Sequence, residues 1–204
     1  MIQNIIFDFG DIFIDLDKSA TLKAMQEFGL HQVTDEMTEV NKKYEKGLIS
    51  TPDFISYYKG KFPDASEKNL SDAWNAIILD FPEHRLDFIE NLAKKNEFRL
   101  FLLSNTNELH IERVIERMNI NRYNQFKNCF EKFYLSYEIN LRKPDLEIYN
   151  HVIDQNNLSV ENTLFIDDTK ENTEAAAVLG MKTWNLIPGA DDITQLFNNK
   201  ILFN

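Results

Sequence analysis

Asn4-Ile5-Ile6-Phe7-Asp8-Phe9-Gly10-Asp11 is a short apolar run that ends in a carboxylate. A buried-type strand of this kind delivers Asp8 to its C-terminal tip. Working outward, three more segments close on a polar group. Leu100-Phe101-Leu102-Leu103-Ser104-Asn105 ends in a hydroxyl, Leu141-Arg142-Lys143-Pro144 fixes a cation just ahead of a helix, and Thr163-Leu164-Phe165-Ile166-Asp167-Asp168 ends in paired acids. In an open parallel sheet such tips lie along one edge, so residues far apart in sequence meet in one crevice.

The pattern predicts strands at Gln3–Asp8, Arg99–Ser104, about Phe130–Ser136, Thr163–Asp167 and Lys182–Leu186, separated by helical stretches. Ile111, Val114, Ile115 and Met118 share one helix face, as do Ala175, Ala176 and Leu179, and Gly180 stops the second helix. Between Asp17 and about Arg85 no strand is evident. Phe54, Tyr58 and Phe62 fall on one helical face and Trp74, Ile77, Ile78 and Phe81 on another, with breaks at Gly47, Thr51-Pro52 and Pro63. The expected fold is therefore α/β: a Rossmann-like parallel sheet of about five strands, helices on both faces, and an inserted all-helical cap of three or four helices. Residues 1–16 and 85–204 form the expected core and 17–84 the cap.

Composition narrows the function. The 204 residues are 43% apolar with sixteen Phe, which argues for a packed globule. A net charge of −11 with no basic stripe argues against nucleic acid. Cys129 is the only cysteine, so an intramolecular disulfide and a cysteine zinc cluster are impossible, and His31, His84, His110 and His151 lack zinc-ligand spacing and read as surface or packing residues. No window has the length and apolarity of a membrane span, and no leader pattern precedes the first strand, so a cytoplasmic protein is expected. Oligomeric state is left open.

Together the four tips supply the parts for phosphoryl transfer through an aspartyl intermediate. Asp8 suits a nucleophile that splits one hard displacement into two easier ones. Asp168, with Asp167 beside it, supplies the second carboxylate that Mg²⁺ needs, because this ion takes one or two protein carboxylates and keeps several waters. Ser104 and Asn105 offer a hydroxyl, an amide and N–H groups at a helix N-terminus, and Lys143 adds a full positive charge for phosphoryl oxygens. Singly, each has a plainer reading as a cap or a solvated charge. Four tips in order argue against coincidence.

At these residues the sequence resembles the haloacid dehalogenase-like hydrolase superfamily, over nearly the whole chain. The four motifs look like Ile6-Phe7-Asp8-Phe9-Gly10, Leu103-Ser104-Asn105-Thr106-Asn107, Arg142-Lys143-Pro144 and Phe165-Ile166-Asp167-Asp168 followed by Asn172. The closest likeness is to alpha-D-glucose-1-phosphatase-type sugar phosphatases and the phosphatase domain of epoxide hydrolase, with Gly47-Leu48-Ile49-Ser50 and Phe54 in the cap and Tyr134-Leu135-Ser136 ahead of Lys143 adding to it. The resemblance implies a Mg²⁺-dependent phosphatase acting on a small phosphorylated metabolite, a sugar phosphate among the candidates. By it, Asp8 is the nucleophile, and Asp8, Asp168 and the Gly10 carbonyl bind the metal. Ser104, Asn105 and Lys143 hold the phosphate, with Asp167 and Asn172 in support.

One departure matters. Many such phosphatases carry a second Asp two residues after the nucleophile, as general acid and base. Gly10 stands there instead, and such help is worth roughly 10²–10⁴-fold in rate. Asp11, one residue on, is a candidate substitute, though a one-residue shift on a strand tip turns its side chain away. Two other readings stay open: a metal-independent 2-haloacid dehalogenase, which also lacks the second Asp but carries small neutral residues where Asp167 and Asp168 stand, and a catalytically silent binding module. Glu45 and Lys46, beside Gly47, are candidate substrate contacts.

Overall fold

The computed structural model describes residues 1–198 and 200–203. Five parallel strands, β1 (Asn4–Phe7), β2 (Arg99–Ser104), β3 (Lys132–Leu135), β4 (Thr163–Asp167) and β5 (Lys182–Asn185), lie in the order β3-β2-β1-β4-β5. β1 is central, in register with Arg99–Leu102 on one side and Thr163–Ile166 on the other.

Alternation of side chains explains how a continuous apolar run is satisfied on both faces. Ile5, Phe7, Leu100, Leu102, Leu164 and Ile166 point into one apolar cluster. Helices α5 (Glu83–Lys95), α6 (Glu108–Met118) and α7 (Ile120–Lys127) cover it, through residues such as Ile89, Val114 and Phe126. Ile6, Phe101, Leu103 and Phe165 point the other way, against Ile148, Tyr149 and Val152 of α9 (Leu146–Asn156) and Ala176 of α10 (Lys170–Val178). A single turn, α8 (Ser136–Ile139), follows β3.

Four helices intervene between β1 and α5: α1 (Ala20–Gln26), α2 (Asp35–Glu45), α3 (Thr51–Lys61) and α4 (Glu67–Asn75). They build their own apolar centre around Met25, Tyr44, Phe54, Tyr58, Leu70 and Trp74, joined by Leu109 from α6. Ser50 and Ser66 cap α3 and α4 with their hydroxyls. The expected face of Trp74, Ile77, Ile78 and Phe81 is not one helix face. α4 stops at Asn75, Trp74 stays with the inserted helices, and Ile78 and Phe81 pack on the sheet cluster. The reason is a short antiparallel ribbon: Leu16 pairs with Ile78, Asp15 N donates to Asp80 O (2.8 Å), and Asp17 N donates to Ile77 O (2.9 Å). Entry into the inserted helices and exit from them are thus stitched together.

Candidate active site

The strand tips meet. Asp8, one residue beyond β1, is fixed by donating its N–H to the Ile166 carbonyl (2.8 Å). Lys143 reaches it from the loop ahead of α9. Its ammonium donates to Asp8 Oδ1 (2.7 Å), Asp167 Oδ2 (2.6 Å) and the Leu103 carbonyl (2.9 Å). An ammonium has three donors, and all three are used on a side chain only 1% exposed. Asn105 holds the Lys143 peptide at both ends, donating to its carbonyl (2.9 Å) and accepting from its N–H (2.9 Å). Its amide is therefore engaged as a clamp on Lys143.

Asp167 is saturated. Oδ1 accepts from Thr169 N (2.8 Å) and Asn172 Nδ2 (3.0 Å), and Oδ2 accepts from Lys143 and Asn172 (3.0 Å). Tyr149, buried against Phe165, donates to the Asn172 carbonyl (2.9 Å) and steadies the start of α10. Asp8 and Asp168 are different: among the described residues Asp8 Oδ2 accepts no hydrogen bond, and the Asp168 carboxylate is held only by Lys18, through one oxygen. Asp8, Asp167 and Asp168 each offer an oxygen within 4.8 Å of the others.

Electrostatics follow from that crowding. Burial pushes the Asp8 carboxyl up to about 7; Lys143 opposes this, while the charges of Asp167 and Asp168 reinforce it. Burial pulls the Lys143 ammonium down, yet Asp167 and Asp8 outweigh it and hold it above the ordinary lysine range. Two of the three acids at the sheet edge, Asp8 and Asp167, share one neutralising lysine, and Lys18 screens the third, Asp168, from outside. A divalent cation suits this donor set, because oxygen ligands with spare lone pairs and unbalanced negative charge are what Mg²⁺ takes.

The acids open into a cavity of about 230 Å³ lined by Asp8, Gly10, Lys18, Arg142, Lys143 and Asp168, among others. Gly10 also borders a second, mostly apolar chamber of about 120 Å³, where Ser104, Thr106 and His110 lie. Ser104 thus stands at the tip of β2 but on the wall of the apolar chamber, while Asn105 and Gly10 border both. Asn172 lines the polar cavity.

Some of these residues were not legible as site residues in the sequence. Leu16 packs where a side chain on residue 10 would go, its Cδ1 2.7 Å from the position of a Cβ on Gly10. Lys18 sits on the rim, 58% exposed, its ammonium between Asp168 and Asp11 Oδ2 (3.0 Å from the latter). Asp11 is not turned to solvent. In a left-handed conformation (φ 55°) it is buried behind the site, where Oδ1 accepts from Leu16 N (3.1 Å). No spacing rule pointed to Lys18, because the ribbon that aims it forms with residues some sixty positions later. Glu45 and Lys46 reach the core as ion pairs, Glu45 with Arg142 (2.6 Å) and Lys46 with Asp145 (2.7 Å).

Comparison with known proteins agrees with this geometry. A family model described as haloacid dehalogenase-like hydrolase matches residues 5–186. A D-ribitol-5-phosphate phosphatase of Bacteroides thetaiotaomicron is 28% identical over 98% of this chain and all of its own. The crystal structure of a HAD family enzyme from Bacteroides thetaiotaomicron, in complex with magnesium, superposes with a TM-score of 0.85 at 31% identity, covering 97% of this chain and 99% of that one. The same enzyme with magnesium and inorganic phosphate superposes at 0.82, with 29% identity over 97% of this chain and 100% of that one. With the sheet order, the clustered strand-tip acids and the matched span in agreement, the chain belongs to the haloacid dehalogenase-like hydrolases.

Proposed function

We propose that this hydrolase is a Mg²⁺-dependent phosphatase that cleaves a small phosphorylated metabolite, a sugar or polyol phosphate, through an aspartyl-phosphate on Asp8. The observation that carries the reading is the convergence of Asp8, Asp167 and Asp168 within 4.8 Å, the first two tied by a buried Lys143. A 2-haloacid dehalogenase has no use for three such carboxylates. The ribitol phosphate relative supports the substrate class, as does a polar cavity of about 230 Å³.

Asp8 Oδ2, free of hydrogen bonds from the described residues, attacks phosphorus while Oδ1 stays on Lys143. The new P–O bond forms as the ester P–O bond breaks, its electron pair leaving with the alcohol oxygen, which takes a proton from solvent water. A second water then attacks the phosphorus, gives one proton back to solvent, and releases phosphate as the Asp8–phosphorus bond breaks and its electron pair returns to Asp8. Lys143 opposes protonation of Asp8 and orients it, and Asp167 and Asn172 keep Lys143 in place. Ser104 and Asn105 lie at the tip of β2, where phosphoryl oxygens would be received. Asp8, Asp168 and the Gly10 carbonyl are the groups that would hold Mg²⁺, which supplies countercharge to the phosphoryl oxygens. The residues 17–84 would serve as a cap over this site, and 1–16 with 85–204 as the catalytic core. We place the enzyme in the cytoplasm, a compartment that suits the free thiol of Cys129, and expect neither nucleic acid nor membrane as a partner. No helix of the described residues is long and apolar enough to cross a membrane.

The test is a panel of phosphorylated sugars and polyols with Mg²⁺, with chelator, and with Asp8→Asn. Phosphate release is expected only with metal and wild-type Asp8. Turnover by Asp8→Asn near the wild-type rate would sink the mechanism, and chelator-resistant halide release from a 2-haloacid would favour dehalogenation.

A further inference from the structure

We propose that Lys18 is the leaving-group cation of this site: its ammonium, tethered by Asp11, stabilises charge developing on the departing alcohol oxygen. The inference rests on the phosphatase reading above and concerns a step it leaves without help. An alkoxide leaving a sugar phosphate is a poor leaving group unless positive charge or a proton meets it. The space beside Asp8 that a side chain on residue 10 would use holds hydrocarbon instead, since Leu16 Cδ1 stands 2.7 Å from the position of a Gly10 Cβ.

The polar groups around the cavity are mostly committed. Lys143 uses all three donors on Asp8, Asp167 and Leu103. Asn105 is clamped on the Lys143 peptide, and Asn172 on Asp167. Asp11 is no acid for the site: one oxygen holds the Leu16 N–H and the other the Lys18 ammonium. Lys18 has two carboxylate partners, Asp168 and Asp11, and keeps a third N–H. It follows Leu16 by two residues, and both side chains line the same cavity as Asp8 and Gly10. The paired ribbon sets that direction, because Asp17 N is bonded to Ile77 O (2.9 Å) immediately before Lys18. Asp11 therefore acts as a positioning residue that keeps a flexible side chain at the rim. Arg142 is the other cation of the wall with spare donors, but its Nε is on Glu45 (2.6 Å) and its Nη1 on the Lys143 carbonyl (2.9 Å).

Lys18 remains an ammonium throughout, so no proton changes hands with it. What changes is the charge on the leaving oxygen as the ester bond lengthens, which is why the contribution is larger for poorer leaving groups.

The experiment measures kcat/KM over aryl and alkyl phosphates of graded leaving-group pKa, for the Mg²⁺-loaded wild type, Lys18→Met, Lys18→Arg, Asp11→Asn and Arg142→Gln. One preorganised donor is worth up to about 10²–10³-fold in buried sites, so for a rim residue a loss of about tenfold or more on alkyl phosphates is expected in Lys18→Met, with activated aryl phosphates within about threefold. The plot of log kcat/KM against leaving-group pKa then steepens in Lys18→Met and Asp11→Asn and stays near wild type in Lys18→Arg. An equal loss across the series would make Lys18 a general binding residue and overturn the proposal. So would an unchanged slope, or a slope moved by Arg142→Gln and not by Lys18→Met. A wild type that turns over no phosphate ester would sink the phosphatase reading and this inference together, whereas turnover with an unchanged slope would sink the inference alone.

Discussion

At residue 10 a glycine meets two demands at once. It keeps backbone close to Asp8, and it leaves room for Leu16, which a Cβ would crowd at 2.7 Å. Gly10→Asp alone should therefore give an acid that is badly placed, because the end of Leu16 must first move aside. Adding Leu16→Ala vacates that place at a stability cost of about 2 kcal/mol. General acid help being worth roughly 10²–10⁴-fold, we expect the double variant to exceed Gly10→Asp by at least about tenfold on an alkyl phosphate. Steady-state kinetics of both variants decide it, and equal rates would show that Leu16 is not what excludes an acid. The same residue shows where sequence reading stops: the missing acid is legible in Phe9-Gly10-Asp11, but the side chain that took its place is not.

The inserted helices are seated on the core by close backbone approach at the end of α2 and by a neutral histidine against α4. Gly47 (φ 64°) ends the α2 turn with its Cα so near α8 that an added Cβ would lie 2.1 Å from the Tyr137 carbonyl oxygen. Around it Ser136 donates to the Glu45 carbonyl (2.6 Å) and Asn140 to the Lys46 carbonyl (2.8 Å). Gly47→Ala combines left-handed strain with a backbone clash, so a loss of about 2 kcal/mol or more is expected. Chemical denaturation would measure it, and a midpoint equal to wild type would refute the contact. On the opposite flank His110 stacks on Trp74, receives Asn107 Nδ2 at its Nδ1 (3.1 Å) and meets the Trp74 carbonyl through Nε2 (3.3 Å). Burial pushes its pKa down to about 4. The unfolded chain takes up this proton near pH 6.5 and the folded chain only near 4. The ring's contribution is therefore complete above about pH 6.5 and is lost as pH falls toward 4. One pKa unit is about 1.4 kcal/mol, so after allowance for partial exposure the loss is on the order of 2 kcal/mol. Unfolding free energies of wild type and His110→Gln should converge across that window as pH falls, and a constant difference would exclude the histidine as the cause.

Across the whole molecule, three acids gathered at one sheet edge store repulsion that a divalent cation relieves. Mg²⁺ should raise the melting temperature, since a ligand present at 100 times its Kd adds about 2.7 kcal/mol. Asp168→Asn should abolish the rise, and a full shift in that variant would remove Asp168 from the metal site. The sheet was legible because a doubly covered parallel strand leaves an unmistakable apolar run: β2 and β4 have the expected bounds, and β1, β3 and β5 lie within theirs. Helix ends were less so. Asn96, Asn140 and Asn157 end α5, α8 and α9 in the left-handed region, a duty usually advertised by glycine, of which the chain has six. The acids and Lys143 were readable because each ends a local pattern. The placement of Leu16, Lys18 and Asp11 was not, because it depends on the ribbon between residues 15–17 and 77–80.

That ribbon bears on how such a molecule is assembled and altered over generations. Because the chain leaves for the inserted helices and returns at hydrogen-bonded neighbours, Asp17 and Ile77, the sheet is indifferent to how much polypeptide is spliced between them. Closing a longer loop across fixed ends adds only about 0.6 kcal/mol per doubling of its length. The intervening segment is thus an exchangeable cassette: recombination at this seam would carry Lys18 away with the inserted helices and leave Asp8, Lys143, Asp167 and Asp168 with the sheet.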